Sequence, residues 1–271
     1  MSLDLRREMK NVGTGRGSLE TFRELEMNKS IFLLSTSAVV LLASPVLAQS
    51  QNVSMSGITV EYSGDVAGNG EFSGATVEVY GTFGGNLEVS GAAVEINAEV
   101  GEDLEASGGA VEVSGSVGGN AEISGGAVDI NIQVAGRSEI SGGAIDVSSG
   151  SVFTGDAEIS AGALDFAGHA LSGLQIRFGD MEFSGRADQA GDFEGNNRKG
   201  LFRRRDRSEI EISGILAAGG MICAHEVRFL EGSEVNGPLT VLADEEPDYA
   251  AGFDAANITY IQRDRESCRD D

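Results

Sequence analysis

The sequence predicts an all-β protein that folds as a parallel β-helix, a solenoid with coils of about 17 residues. Three observations predict it: a 17-residue repeat, a period-two alternation of apolar and polar residues inside each repeat, and an unusual composition. The 271 residues include 39 glycines, no tryptophan and three prolines, with 6% aromatics. The apolar residues are mainly Val, Ile and Ala, which suit small, repetitive, pleated surfaces.

The repeat extends over seven units in register, too many for chance similarity. The sixth unit carries two extra residues. The units are 53–69, 70–86, 87–103, 104–120, 121–137, 138–156 and 157–173.

Three apolar columns follow from aligning the units at their third, eighth and tenth positions. A unit of two or three short strands cannot bury its apolar side alone, whereas stacked units bury it along a continuous core. Coils of paired strands are spaced by about 4.8 Å. The columns are Met55, Phe72, Val89, Ala106, Ile123, Ile140, Ile159; Val60, Val77, Val94, Val111, Val128, Ile145, Leu164; and Tyr62, Val79, Ile96, Val113, Ile130, Val147, Phe166.

Ser-Gly pairs between the predicted strands indicate the corners of each coil. Ser90-Gly91 and Ser124-Gly125 are examples. We expect their glycines to adopt the positive φ of a tight turn.

Acidic residues at the second and ninth positions predict two carboxylate columns on the outside of the rod. Residues 53–173 contain 18 acidic residues and one basic residue, Arg137. One interpretation is a solvated face that prevents lateral aggregation of strands. The other is that Ca²⁺ bridges neighbouring carboxylates, and no other cofactor is predicted. The residues of this predicted calcium ladder are Glu88, Glu105, Glu122, Glu139, Glu95, Glu112, Asp129 and Asp146.

The second half of the predicted β-helix domain, 49–262, is less regular. A basic insertion at 195–207 separates the regular coils from irregular coils at 208–262, and a charged tail follows at 263–271. We expect a last strand at 256–261 to cap the rod. The insertion is either a solvated loop or an electrostatic docking element for a partner. Its docking candidates are Arg198, Lys199, Arg203, Arg204, Arg205 and Arg207.

The N-terminal region, 1–48, reads as a signal peptide with an extension before it. A short basic start at Met27 precedes an apolar run, 31–43, and a small-residue end at Ala48. This pattern predicts export to the periplasm or cell surface with cleavage after Ala48, the alternative being an uncleaved anchor. Met1 and Met27 are both candidate starts.

Charge excludes nucleic acid as a partner. Of 19 Lys/Arg and 43 Asp/Glu residues, six and five lie in 1–48, so 49–271 retain 13 and 38, a net charge of −25. Such a surface repels phosphates. In an oxidising compartment, Cys223 and Cys268 are able to form a disulfide. The alternative is that Cys223 packs as a small hydrophobe and Cys268 lies in a frayed tail.

No enzyme motif is present in the sequence. The carboxylates recur at repeat positions instead of forming a unique cluster, and His169 and His225 each stand alone in a coil. The repeated serines have no paired histidine and match corner positions. We therefore predict no catalytic residues.

Three segments resemble the bactofilin-like, polymer-forming cytoskeletal family. They are the runs Gly84–Val89 and Gly118–Ile123, in which Gly-Gly-Asn leads into a strand, and the coil Phe229–Leu239. The resemblance covers roughly 53–241 and implies a β-helical core that associates end to end into filaments without nucleotide. The chain departs from that family in its export signal and its basic insertion.

The function expected is that of a non-enzymatic, self-associating scaffold of the bacterial cell envelope. Its main partner would be another copy of the chain, with envelope polysaccharide or lipid as a further possibility. A surface adhesion or polysaccharide-binding module is the alternative, and a polysaccharide-active enzyme is third.

Overall fold

Each 17-residue repeat runs once around a three-faced coil whose apolar side chains point inward. The computed structural model describes residues 51–195, 208–263 and 268, and within them it forms an all-parallel β-solenoid of about twelve coils without an α-helix. The predicted fold class is confirmed. The leader at 1–48 and the six basic docking candidates lie outside the described residues. No helix in the described part is long and apolar enough to span a membrane.

The first five coils are each one long strand that bends around all three faces. They are β1 Val53–Val66, β2 Gly70–Phe83, β3 Leu87–Val100, β4 Leu104–Val117 and β5 Ala121–Val134. Later coils are divided into shorter strands. These are β6 Ser138–Val147, β7 Val152–Phe153, β8 Ala157–Phe166, β9 His169–Ala170, β10 Leu174–Phe178, β11 Asp180–Phe183, β12 Arg186–Ala187, β13 Gly191–Gly195, β14 Glu209–Ile212, β15 Ile215–Leu216, β16 Gly220–Ala224, β17 Glu226–Phe229, β18 Glu234–Val235, β19 Leu239–Ala243, β20 Asp248–Tyr249 and β21 Ile258–Gln262.

The pairing of these strands defines three faces, numbered in chain order. Face 1 continues from β8 through β10, β13, β16 and β19 to β21. Face 2 continues from β8 through β11, β14 and β17 to β20. Face 3 continues from β5 through β7, β9, β12 and β15 to β18.

The predicted apolar columns form the core, and face 3 adds one that the repeat alignment overlooked. Val77, Val94 and Ile96 are at most 4% exposed, as are their column neighbours in the inner coils. The added column closes the triangle. It consists of Val66, Phe83, Val100, Val117, Val134, Phe153, Ala170, Ala187, Leu216 and Val235.

The prediction for the Ser-Gly corners was wrong, because Gly91 and Gly125 are not among the glycines with positive φ. Strand pairing continues through this corner, with Gly74 paired to Gly91. A Cβ on Gly91 would lie 2.9 Å from the carbonyl oxygen of Gly74 in the preceding coil. The close stacking of coils, and not a left-handed turn, therefore favours glycine at Gly91.

Candidate functional site

The two carboxylate columns are real features of the surface and lie on different faces. Column A is on face 1 and column B is on face 2, where it extends two coils beyond the regular repeat. Column A consists of Glu71, Glu88, Glu105, Glu122, Glu139 and Glu158. Column B consists of Glu61, Glu78, Glu95, Glu112, Asp129, Asp146, Asp165, Glu182 and Glu211.

The eight residues predicted to form a calcium ladder therefore lie in two separate columns, four in column A and four in column B. Within the described ranges, no three His, Cys, Asp or Glu side chains form a group that could hold a metal ion. Neighbouring carboxylates of one column lie on strands about 4.8 Å apart. A cation placed between two of them would therefore be bound by only two side chains, and Ca²⁺ would need further oxygen ligands. Calcium binding stays a prediction.

Column B shows the electrostatic cost of stacking like charges. Partial burial, with repulsion from Asp165 and Asp129, raises the pKa of Asp146 above its ordinary value. The Tyr80 hydroxyl donates a hydrogen bond to Glu95 Oε1 at 2.7 Å. This hydrogen bond is the main reason that the pKa of Tyr80 is raised to about 12.

Arginines stand at the C-terminal ends of both columns, which the repeat analysis did not predict. Arg177 Nη1 lies 2.6 Å from Glu158 Oε1 at the end of column A. Arg228 follows Glu211 in column B, with Nη1 2.6 Å from Glu209 Oε1 and 2.9 Å from Glu211 Oε1. These guanidinium groups relieve repulsion where each column ends.

A groove runs along the outside of face 2, between column B and the first corner. Its floor is a line of small, exposed side chains that includes Ala127, Ala144 and Ala163. Asp180 and Glu209 replace these alanines further along the groove. The groove is therefore smooth at one end and strongly acidic at the other.

Both histidines pair with an aspartate, although the sequence suggested that each was alone. His169 Nε2 lies 3.0 Å from Asp188 Oδ2, and His225 Nδ1 lies 2.7 Å from Asp244 Oδ2. The second oxygen of Asp244 accepts a hydrogen bond from Arg263 Nε at 2.9 Å. The signal was a histidine followed by an aspartate 19 residues later, about one coil away.

A ladder of Asn and Asp side chains at the third corner was also missed. Asn86 Oδ1 accepts a hydrogen bond from the backbone N–H of Asp103 at 3.0 Å, and Asp103 Oδ1 accepts one from Asn120 N–H at 2.7 Å. Asn52, Asn69, Asn120 and Asp156 do the same in other coils. Each side chain thereby satisfies a corner N–H of the next coil.

The C-terminal segment is fastened to the outside of face 1 by the disulfide Cys223–Cys268. Cys223 follows the core residue Ile222 in β16, so its side chain points outward, yet it is fully buried. Arg263 is also 7% exposed and lies beside Cys268 and Asp244. We call this segment, Arg263 with Cys268, the C-terminal strap.

The N-terminal end of the rod is open among the described residues. β1 pairs with β2 along one edge, and no described strand pairs with its other edge. Met55 and Tyr62 are only partly buried here, whereas their column neighbours in the next coils are buried. Tyr62 packs on Phe72 with ring centroids 5.1 Å apart. We call this surface, formed by β1, the open end.

Comparisons of the chain with protein-family models, with curated protein sequences and with solved structures gave no match. The β-solenoid fold is shared by many protein classes and does not by itself identify the bactofilin-like family.

Proposed function

We propose that this chain is an exported, non-enzymatic scaffold of the bacterial cell envelope that associates with further copies of itself. The observation that carries the proposal is the open end. Among the described residues, no strand pairs with the outer edge of the fourteen-residue strand β1, and the core side chains Met55 and Tyr62 are only partly buried there. Unpaired edges of this length are templates for another strand.

Two further features support a structural role. The first five coils are nearly uniform, and the carboxylates follow the repeat instead of converging on one point. The Gly-Gly-Asn repeats resemble those of bactofilin-like polymers, which implies end-to-end association.

The groove on face 2 favours a second candidate, an adhesion or polysaccharide-binding module. Long, shallow grooves with polar edges suit extended polymers, and the acidic edge here would select neutral or cationic glycans. A glycan screen with a reproducible hit would favour this candidate.

Sedimentation velocity over a concentration series, with negative-stain images of the same samples, tests the scaffold proposal. We expect species heavier than the monomer whose fraction grows with concentration. A monomer at every concentration, with and without Ca²⁺, would contradict the proposal.

A further inference from the structure

We infer that two copies of this chain join through their open ends, head to head, and that the opposite ends do not extend the pair. This inference rests on the proposed self-association and adds its geometry. Three observations support it. The two ends of the rod differ in the length of strand edge that they present, and the first coil differs from the other coils in two side chains. The chain that precedes β1 after the predicted cleavage is shorter than one coil.

The two ends differ in how much strand edge they present. β1 offers 14 residues around all three faces. At the other end, β21 offers five residues on face 1 and β20 offers two on face 2, while face 3 stops at β18. A second copy can therefore pair far more backbone at the open end.

The C-terminal end is also covered by its own chain. Phe253 lies in the segment between β20 and β21, where it stacks on Phe229 at 4.9 Å and on Tyr249 at 5.4 Å. The strap closes the adjacent outer surface through Cys268. Aromatic stacking of the chain's own residues thus covers part of the surface that a further copy would need.

The first coil departs from the repeat at two positions, and both departures suit a protein contact. Column A ends one coil early, because Ser54 pairs with Glu71 and stands where the next coils carry glutamate. Ile58 is 68% exposed at the sixth position of its unit, where the next six units carry only Ala or Gly. One charge is removed and one large apolar side chain is added at the rim of the open end.

The sequence of β1 carries little of the usual protection of an edge strand. It contains no Lys, Arg or Pro, and its two acidic residues are Glu61 and Asp65. Soluble proteins normally place charged residues, especially Lys, and Pro along exposed strand edges to prevent pairing with another strand.

The preceding chain is too short to be the occupant if the leader is removed after Ala48, as the sequence predicts. Four residues, 49–52, would then precede Val53, whereas one coil needs 17. A second copy supplies an identical edge, and a two-fold axis across the rod end pairs the two β1 strands antiparallel in a closed dimer.

The test measures the mass of the chain as the cell accumulates it, by sedimentation velocity at several concentrations. We expect monomers and dimers and no larger species. Growth into longer polymers would overturn the head-to-head inference while leaving self-association intact. Monomers alone would overturn both.

Two variants locate the contact, and each introduces a residue that other coils already tolerate at the same position. Ser54→Glu and Ile58→Ala should each raise the dimer dissociation constant by about tenfold or more, since a small loss of apolar burial or one like-charge contact suffices. The effect of Ser54→Glu should weaken at high salt. Matched controls are Glu71→Ser and Ala92→Ile, one and two coils inside the rod, and Ile261→Ala at the other end.

The controls should dimerise as the unmodified chain does. Unchanged dimerisation of both Ser54→Glu and Ile58→Ala would overturn the inference, as would dissociation caused by Ile261→Ala. Circular dichroism melts of every variant verify that the coils remain folded.

Discussion

At the scale of single residues, the stacking of coils decides which side chains each position accepts. Gly91 lies under a carbonyl oxygen of the preceding coil, whereas Gly57, at the same position in the first coil, has no coil before it among the described residues. A Cβ on Gly57 would meet nothing closer than 3.6 Å. Gly91 and Gly57 therefore occupy the same position in the repeat but differ in how much space is available for a larger side chain.

We expect Gly91→Ala to lower the free energy of unfolding by about 1–3 kcal/mol, because neighbouring backbone must move to accept the methyl group. Gly57→Ala is the matched control and should change it by less than about 0.5 kcal/mol. Urea denaturation measures both. Equal effects of the two substitutions would contradict the stacking argument.

At the scale of strands and columns, like charges oppose the packing that the apolar columns drive. Glu112 lies in the middle of column B, paired across the strands with Glu95 and Asp129. We expect Glu112→Gln to raise the melting temperature at low ionic strength, because it removes repulsion from both neighbours, and the gain to shrink at high NaCl.

Calcium gives the same column a second test. Bridging of carboxylates predicts a higher melting temperature in millimolar Ca²⁺ than in NaCl of equal ionic strength. A melting temperature that is equal in chelator and in Ca²⁺ would support the solvated-face interpretation instead.

The pH dependence of stability separates the two kinds of carboxylate. Partial burial, with repulsion from Asp165 and Asp129, raises the pKa of Asp146, so its protonation on acidification removes both costs and stabilises the fold. Partial burial opposes ionisation of Asp188 and Asp244, but hydrogen bonds from Arg186 and His169, and from Arg263 and His225, hold each pKa below its ordinary value. These two stabilise the fold above the ordinary Asp pKa, near about 4, and the stabilisation is lost as pH falls through their lowered values.

We therefore expect the urea midpoint to rise slightly as the pH falls toward the ordinary Asp pKa, near about 4, and to decrease at still lower pH. Asp188→Asn should flatten the acidic fall, and Asp146→Asn should remove part of the initial rise. A midpoint that decreases steadily from neutral pH would contradict the assignment of repulsion to column B.

The strands and columns show what the sequence could predict. The 17-residue period and the alternation predicted the apolar columns of faces 1 and 2 and both carboxylate columns. They could do so because residues at the same repeat position stack on one another in successive coils. Face 3 was overlooked because the alignment followed only the third, eighth and tenth positions of the units, although Val100, Val117 and Val134 recur at the fourteenth. The His169–Asp188 pair, the Asn86 ladder and the terminal Arg228 were missed because they join residues of different coils outside the apolar pattern.

At the scale of the whole molecule, the described coils form a rod with an open N-terminal end and a C-terminal end that its own chain partly covers. About twelve coils at about 4.8 Å make a rod of roughly 55 Å, so a head-to-head pair would be about 110 Å long. The carboxylate columns discourage side-by-side contact along this length, which is consistent with the proposed association through the rod end.

The most direct test is a distance between the same residue in two copies, measured by pulsed electron paramagnetic resonance. Both cysteines of the chain are in the disulfide, so a single added cysteine carries the spin label. Asp65→Cys labels the first coil and Asp254→Cys labels the opposite end. Both positions are exposed.

Head-to-head pairing predicts a label-to-label distance within about 40 Å for Asp65→Cys, given that a coil of 17 residues is about 56 Å around. It predicts no measurable distance for Asp254→Cys, whose labels would lie about 100 Å apart. A short distance for Asp254→Cys, or one seen only when the two labelled chains are mixed, would contradict it.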